Sequence, residues 1–236
     1  MGGISGTLEI VRDAGALAAR AAEIIAERLT GCDAPFRLAL AGGSTPAAAY
    51  RLLSRRADLP WANVELFFGD ERFVPPDHPD SNYRMVRETL LAGGLVHPRK
   101  LFAVPTDGTP QSAAERYDEM LRQQYGAGTL EPGAFLFDLT LLGLGEDGHT
   151  ASLLPGQPVL RERERWAAAV PQGRPEPRIT LTYPALESSR LILFLVSGAG
   201  KQGALAQARG GGLPAGALKP RGAVIWLADD AAAGRA

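Results

Sequence analysis

The chain has 236 residues, 45% of them hydrophobic, 22% charged and 7% aromatic, with a formal net charge of −1 at pH 7. Such a composition belongs to a globular protein long enough to bury a sizeable core without disulfide or metal staples. The balanced charge argues against a nucleic-acid or anionic-membrane partner, so any phosphate must be held by a few local residues.

Residues 1–6 are small and polar, with no basic stretch leading into an apolar run, and no secretory leader is expected. Leu17, Ala21, Ile24, Ile25 and Leu29 recur at helical spacing after Asp13, which predicts a helix over Asp13–Leu29 with Asp13 as its N-cap. Cys32 is the single cysteine; it excludes an intramolecular disulfide or a multi-thiolate zinc site and fits a reducing, cytoplasmic setting. Phe36–Ala41 is a short apolar strand broken by Gly42-Gly43. Ser44-Thr45-Pro46 then opens a helix to about Arg56, with Pro46 at the first helical position. Val64–Phe68 is a second buried strand ending at Gly69-Asp70-Glu71-Arg72, whose three adjacent charges, taken alone, read as a solvated turn.

Phe73–Pro79 is a proline-rich loop, Ser81 caps a helix from Asn82 to about Leu91, and a further helix spans Gln111–Tyr125. Phe135–Leu142 is a third apolar strand, followed by the turn Gly143–His149. Val170–Pro177 is a second proline-rich connection. Ile179–Thr182, Leu191–Val196 and Ala223–Leu227 complete a set of about six or seven strands, none long enough to cross a bilayer.

Strands alternating with helices predict a doubly wound, mostly parallel α/β sheet with helices on both faces, a Rossmann-like three-layer sandwich. With no internal repeat and no long polar linker, residues 1–236 are expected to form one domain. Three strands end in polar or glycine-rich loops, at residues 42–46, 69–72 and 143–149. Ligands of open α/β sheets bind beyond the carboxyl ends of the strands, so these loops should converge on one site.

Gly42, Gly43, Ser44 and Thr45 have the makings of an anion site: glycines for close approach, hydroxyls, and free amides at a helix start. The segment matches neither a P-loop nor a dinucleotide fingerprint, and a plain tight turn with a capped helix accounts for it equally well. His149 follows a glycine-rich turn and stands two residues after Asp147, a placement suited to taking a proton from water at neutral pH. No second histidine or cysteine lies at ligand spacing, so no metal is expected; no organic cofactor is expected either. His78 and His97 read as ordinary surface or core histidines. Lys201, after Ser197-Gly198-Ala199-Gly200, and Arg178, at a strand start, are either phosphate-binding cations or exposed side chains.

Five ordered segments carry a family resemblance: Leu38–Pro46 (LALAGGSTP), Phe68–Pro75 (FGDERFVP), Asp80–Met85 (DSNYRM), Leu142–Leu153 (LGLGEDGHTASL) and Arg178–Leu186 (RITLTYPAL). The chain resembles the glucosamine-6-phosphate isomerase/6-phosphogluconolactonase family, on its lactonase side. The deaminase branch follows its Asp-Gly-His turn with a segment carrying a catalytic glutamate and has a tyrosine after Asp-Glu; this chain has Leu154 and Arg72 at those places. The resemblance implies hydrolysis of 6-phospho-D-glucono-1,5-lactone to 6-phosphogluconate in the oxidative pentose phosphate pathway. It implies His149 as general base, Asp147 orienting it and Arg72 facing the oxyanion. Gly42, Gly43, Ser44, Thr45, Asp70, Arg178 and Lys201 would bind the substrate and its 6-phosphate. The only partner expected is the sugar-phosphate lactone, and the protein is expected to be a monomer or weak homodimer. A regulator that kept the fold and lost catalysis is the alternative, disfavoured because His149 is present. The loosened segment Leu213-Pro214-Ala215 before Gly216 carries no site assignment.

Overall fold

Continuous apolar runs, as opposed to alternating ones, mark strands covered on both faces. That pattern holds in β2 (Phe36–Leu40), β3 (Val64–Phe68), β6 (Phe137–Gly143) and β9 (Ser189–Val196), where almost every side chain is buried. The computed structural model describes residue 4, residues 6–32 and residues 35–235; of the segment read for a leader, residues 1–3 and 5 lie outside that description. The four strands form the centre of a seven-stranded sheet that also contains β1 (Thr7–Val11), β5 (Lys100–Leu101) and β10 (Ala223–Asp229). Strand order is β1-β10-β9-β6-β2-β3-β5, and every pair is parallel. The doubly wound sheet expected from the sequence is therefore present.

The order also locates the crevice. From β2 the chain moves outward through β3 to β5; from β6 it moves the other way through β9 to β10. β2 and β6 are neighbours whose following connections diverge, and a ligand crevice opens at the carboxyl ends of such a pair. The helix α1 (Ala14–Leu29) starts as expected, with the Asp13 side chain accepting from Ala16 N at 2.8 Å. The helix α2 (Ser44–Leu53) starts two residues before Pro46, with Gly43 as its N-cap at φ 103°. Proline is tolerated there because the first helical amides have no intrahelical acceptor. The expected Asn82–Leu91 helix is present as α3 (Asn82–Val86), which widens into a π-helical turn over Arg87–Leu91.

The sequence did not anticipate a second sheet. β4 (Asp70–Arg72), β8 (Arg178–Leu181) and β7 (Ala167–Val170) pair antiparallel in that spatial order. Asp70, Glu71 and Arg72 are thus a strand and not a solvated turn, with Asp70 and Glu71 both buried. The segment expected as a main-sheet strand over Ile179–Thr182 is the centre of this smaller sheet. Gly69 joins the two: its N–H donates to Leu40 O of the main sheet and its carbonyl accepts from Leu181 N of the small one, each at 2.8 Å. The helix α4 (Pro110–Tyr125) packs against β7 and β8. The remaining helices are the short α5 (Tyr183–Glu187), α6 (Gln202–Arg209), α7 (Leu213–Gly216) and α8 (Asp230–Ala233).

Two buried tyrosines finish the strand ends beside the crevice. The Tyr50 hydroxyl donates to Ala41 O and accepts from Ala41 N, both at 3.0 Å. Tyr117 does the same for Phe68, at 2.9 and 3.0 Å. Each hydroxyl thereby satisfies a backbone donor and acceptor at the point where a strand gives way to a site loop. Tyr50→Phe is expected to cost about 1–3 kcal/mol, read as a lower urea midpoint at unchanged m-value; a midpoint equal to wild type would contradict this role.

Candidate active site

The turn after β6 is built around two glycines. Gly145 N donates to His149 O at 2.8 Å and Gly148 N donates to Gly145 O at 3.0 Å, while the Thr150 hydroxyl ties back to Gly143 O at 2.8 Å. Gly148 has φ 76°, a left-handed conformation that favours glycine. At Gly145 the constraint is space: a Cβ there would overlap the His149 Nδ1 and stand 2.6 Å from Asp147 Oδ1. The imidazole occupies the room that the missing side chain leaves.

From outside, the turn is held by the segment that carried no site assignment. Ala215 N donates to Gly148 O at 3.0 Å, and a Cβ on Gly148 would lie 2.5 Å from the Leu213 Cβ. Leu213 itself has φ 61°, a strained conformation for a leucine. Pro214 O accepts from the Tyr183 hydroxyl at 2.8 Å, which fixes the segment from below.

His149 Nδ1 is hydrogen-bonded to Asp147 Oδ1, and Asp147 Oδ2 accepts from Arg174 Nη2 at 2.8 Å. Partial burial alone would raise the Asp147 pKa, but the hydrogen bonds from His149 and Arg174 outweigh it and hold the carboxyl well below the usual carboxylate range. An ionised carboxylate only accepts, so Nδ1 must carry a proton, and in the neutral imidazole the acceptor is then Nε2.

The second group of charges comes from the small sheet. In the antiparallel register Arg72 lies opposite Arg178, and Asp70 opposite Thr180, so the four share one face. Both arginine Nε atoms are buried without a hydrogen-bond partner. Burial pulls the Arg178 pKa down, Asp70 opposes that, and Arg72 adds to it. Asp70 is held by the Ser152 hydroxyl at 2.5 Å and, through its backbone oxygen, by the Asn82 amide at 2.9 Å. Glu71 points to the other side and accepts from the backbone N–H of Arg72, Asn82 and Tyr83 at 2.7–2.8 Å. Burial pushes its carboxyl up against those bonds. Glu71 therefore anchors α3 and takes no part in the site.

These pieces meet in a cleft of about 330 Å³ over the β2–β6 switch point. Gly42, Gly43, Ser44 and Thr45 form one wall, Asp70, Arg72 and Arg178 another, and His149 and Lys201 also line it. Asp147 stands behind His149. Every site residue expected from the sequence is thus gathered at one place. Sequence reasoning missed three others. Asn82, expected only as the start of a helix, lines the cleft and packs so close to Gly42 that a Cβ there would overlap its amide. Ser197 lines it too, its hydroxyl donating to the buried Asp229 at 2.5 Å. Arg174, inside the proline-rich connection, had no local signal. Leu153 and Leu154 are buried beneath the site, and neither His78 nor His97 lines the cleft. Among the described residues no three His, Cys, Asp or Glu side chains gather as metal ligands, and no helix is long and apolar enough to cross a membrane.

The family model described as glucosamine-6-phosphate isomerases/6-phosphogluconolactonase matches residues 12–226. The chain belongs to this family. A 6-phosphogluconolactonase of Nostoc sp. is 38% identical to it over 96% of each chain. The solved 6-phosphogluconolactonase from Trypanosoma cruzi superposes with a TM-score of 0.86 at 26% identity, covering 99% of this chain and 97% of that one. A monomeric glucosamine-6-phosphate deaminase, 23% identical over 98% of this chain and 100% of that one, reaches a TM-score of 0.82 and shares the fold.

Because the folded-state pKa of Asp147 is depressed, its stabilisation is complete above the unfolded value of about 3.9 and is lost as pH falls toward the folded one. Asp147→Asn should therefore lose less stability than wild type between pH 5 and pH 2, measured as the change in urea midpoint; parallel losses would contradict the pairing.

Proposed function

We propose that the chain hydrolyses 6-phospho-D-glucono-1,5-lactone to 6-phosphogluconate, the lactone-opening step of the oxidative pentose phosphate pathway. What carries the reading is one cleft that holds both a His–Asp pair and two neighbouring guanidinium groups whose buried Nε atoms have no hydrogen-bond partner. The first suits water activation and the second suits a permanent anion. The 6-phosphogluconolactonase relatives that match nearly end to end support the same substrate.

In this mechanism Asp147 keeps the proton on His149 Nδ1, and Nε2 takes a proton from water as the oxygen attacks the lactone carbonyl. The tetrahedral intermediate collapses with cleavage of the bond to the ring oxygen, which receives the proton back from Nε2. The product is the open-chain acid, which gives its remaining proton to solvent and leaves as the carboxylate. No step calls on a cofactor.

The register favours a different role for Arg72 than the oxyanion contact inferred from the sequence. Arg72 and Arg178 are directly opposed on one face of the strand pair, and their like charges repel. A bound phosphate dianion offsets that repulsion throughout the binding cycle, whereas an oxyanion would do so only transiently. Arg72 and Arg178 therefore hold the 6-phosphate together, with Lys201 and the free amides of Ser44 and Thr45 at the start of α2. Asp70 has the same sign as the phosphate, so its part is to hold this cluster in place through Ser152, Asn82 and Arg178. Anchoring the phosphate places the carbonyl beside His149. A cytoplasmic setting and a monomeric or weakly dimeric state belong to the same proposal; the single cysteine supports the first.

The direct test is hydrolysis of freshly generated lactone, corrected for spontaneous opening. Wild type should accelerate it, and His149→Ala should lower kcat by about 10²–10⁴-fold with little change in KM. No acceleration, or near-wild-type turnover in the variant, would refute the reading. Arg72→Ala should raise KM by about tenfold or more, in line with a lost charged contact, with kcat nearly kept. A fall in kcat at unchanged KM would return Arg72 to the oxyanion.

A further inference from the structure

We propose that Arg174 is a positioning residue for this reaction: it clamps Asp147 against His149 and keeps the imidazole ready to accept a proton. The inference rests on the reading of His149 as the base. Arg174 Nη2 donates to Asp147 Oδ2 at 2.8 Å and stands 3.2 Å from His149 Nδ1. Since Nδ1 already donates to Asp147, that second approach is a charge contact and not a hydrogen bond. The carboxylate is thus held at both oxygens, one by the imidazole and one by the guanidinium. It can neither rotate away from Nδ1 nor give its whole charge to the ring.

The loop that delivers Arg174 is braced for the task. Gly173, at φ 94°, passes so close over the layer below that a Cβ would stand 3.1 Å from Leu154 Cδ1 and 3.0 Å from Gln157 Nε2. Its carbonyl accepts from Arg174 Nη1 at 3.1 Å. At the far end of the loop, Pro177 O accepts from Phe73 N at 2.8 Å, which joins it to the strand that carries Arg72. Leu154, buried and outside the cleft, therefore serves as the floor on which this loop rests.

The consequence is electrostatic. A carboxylate next to an imidazole favours the imidazolium, which cannot act as a base; a cation on the same carboxylate opposes that preference. The charged groups around His149 are Asp147 and Glu146 on its own turn, Glu146 on the side packed against Gly200, and Arg174 from the loop. Across the cleft stand Asp70 and Arg72 on β4, Arg178 on β8 with Glu176 at 3.7 Å, and Lys201 beyond β9. Substituting Arg174 leaves all the others in place.

The test is the pH dependence of kcat/KM for wild type, Arg174→Gln, Arg174→Lys and His149→Ala, with thermal melts to show that each is folded. Arg174→Gln should move the acidic limb up by about one pH unit and so lower kcat on the acidic side of that limb by up to about tenfold, with KM within about twofold and much of the loss recovered at alkaline pH. Arg174→Lys should keep the limb close to wild type. A superimposable Arg174→Gln profile, a pH-independent loss, or a raised KM at unchanged kcat would each overturn the inference while leaving the base assignment standing. Wild-type turnover in His149→Ala would remove that assignment and this inference together.

Discussion

The His149 end of the site depends on the absence of a side chain at Gly145. The chain leaves β6 at Gly143 and must bring His149 back over the strand end within a few residues. It does so by folding the imidazole into the volume a Cβ would fill. Such a turn is held by few bonds of its own, so its geometry is imposed from outside. Leu213, in a strained backbone conformation, packs on Gly148 from the C-terminal side, and Arg174 closes on Asp147 from the proline-rich loop. Strain of this kind persists where surrounding contacts over-determine it, and it concentrates at functional sites.

The opposite pole of the cleft is made by a different device. Gly69 passes the chain from the parallel sheet directly into β4, and pairing with β8 puts two guanidinium groups side by side. In the absence of an anion such an arrangement is costly, because like charges directly opposite one another repel. The cleft is therefore polar by construction: a His–Asp pair at one end, a cluster of cations at the other. Both ends sit over the β2–β6 switch point, and the tyrosine plugs at Ala41 and Phe68 keep the strand ends below them fully bonded.

Much of this was legible in the sequence, for identifiable reasons. Strands buried on both faces leave continuous apolar runs, so the central sheet was readable, and the glycine-rich ends of those runs pointed to the site loops. What was not legible depends on pairing between distant segments. Asp70-Glu71-Arg72 looks like a solvated turn until β8 lies beside it and α3 docks its amides on Glu71. Ala167–Val170 has a composition more suited to a helix and is a strand because β8 and α4 hold it as one. Two-residue β5 and the half-exposed edge strand β1 are too short or too mixed to announce themselves. The partnership of Arg72 with Arg178 is a matter of register, which no local pattern encodes, and Arg174 reaches Asp147 only because Gly173 can pass over Leu154.

The proposed hydrolysis requires an ionised Asp147 that fixes the proton of His149 on Nδ1 and leaves Nε2 free as the base. The most direct measurement is the ¹⁵N spectrum of the His149 ring at neutral pH, assigned against His149→Ala and compared with Asp147→Asn. Wild type should show a protonated Nδ1 and an unprotonated Nε2, with that preference lost in Asp147→Asn. A proton resting on Nε2, or a tautomer indifferent to Asp147, would contradict it.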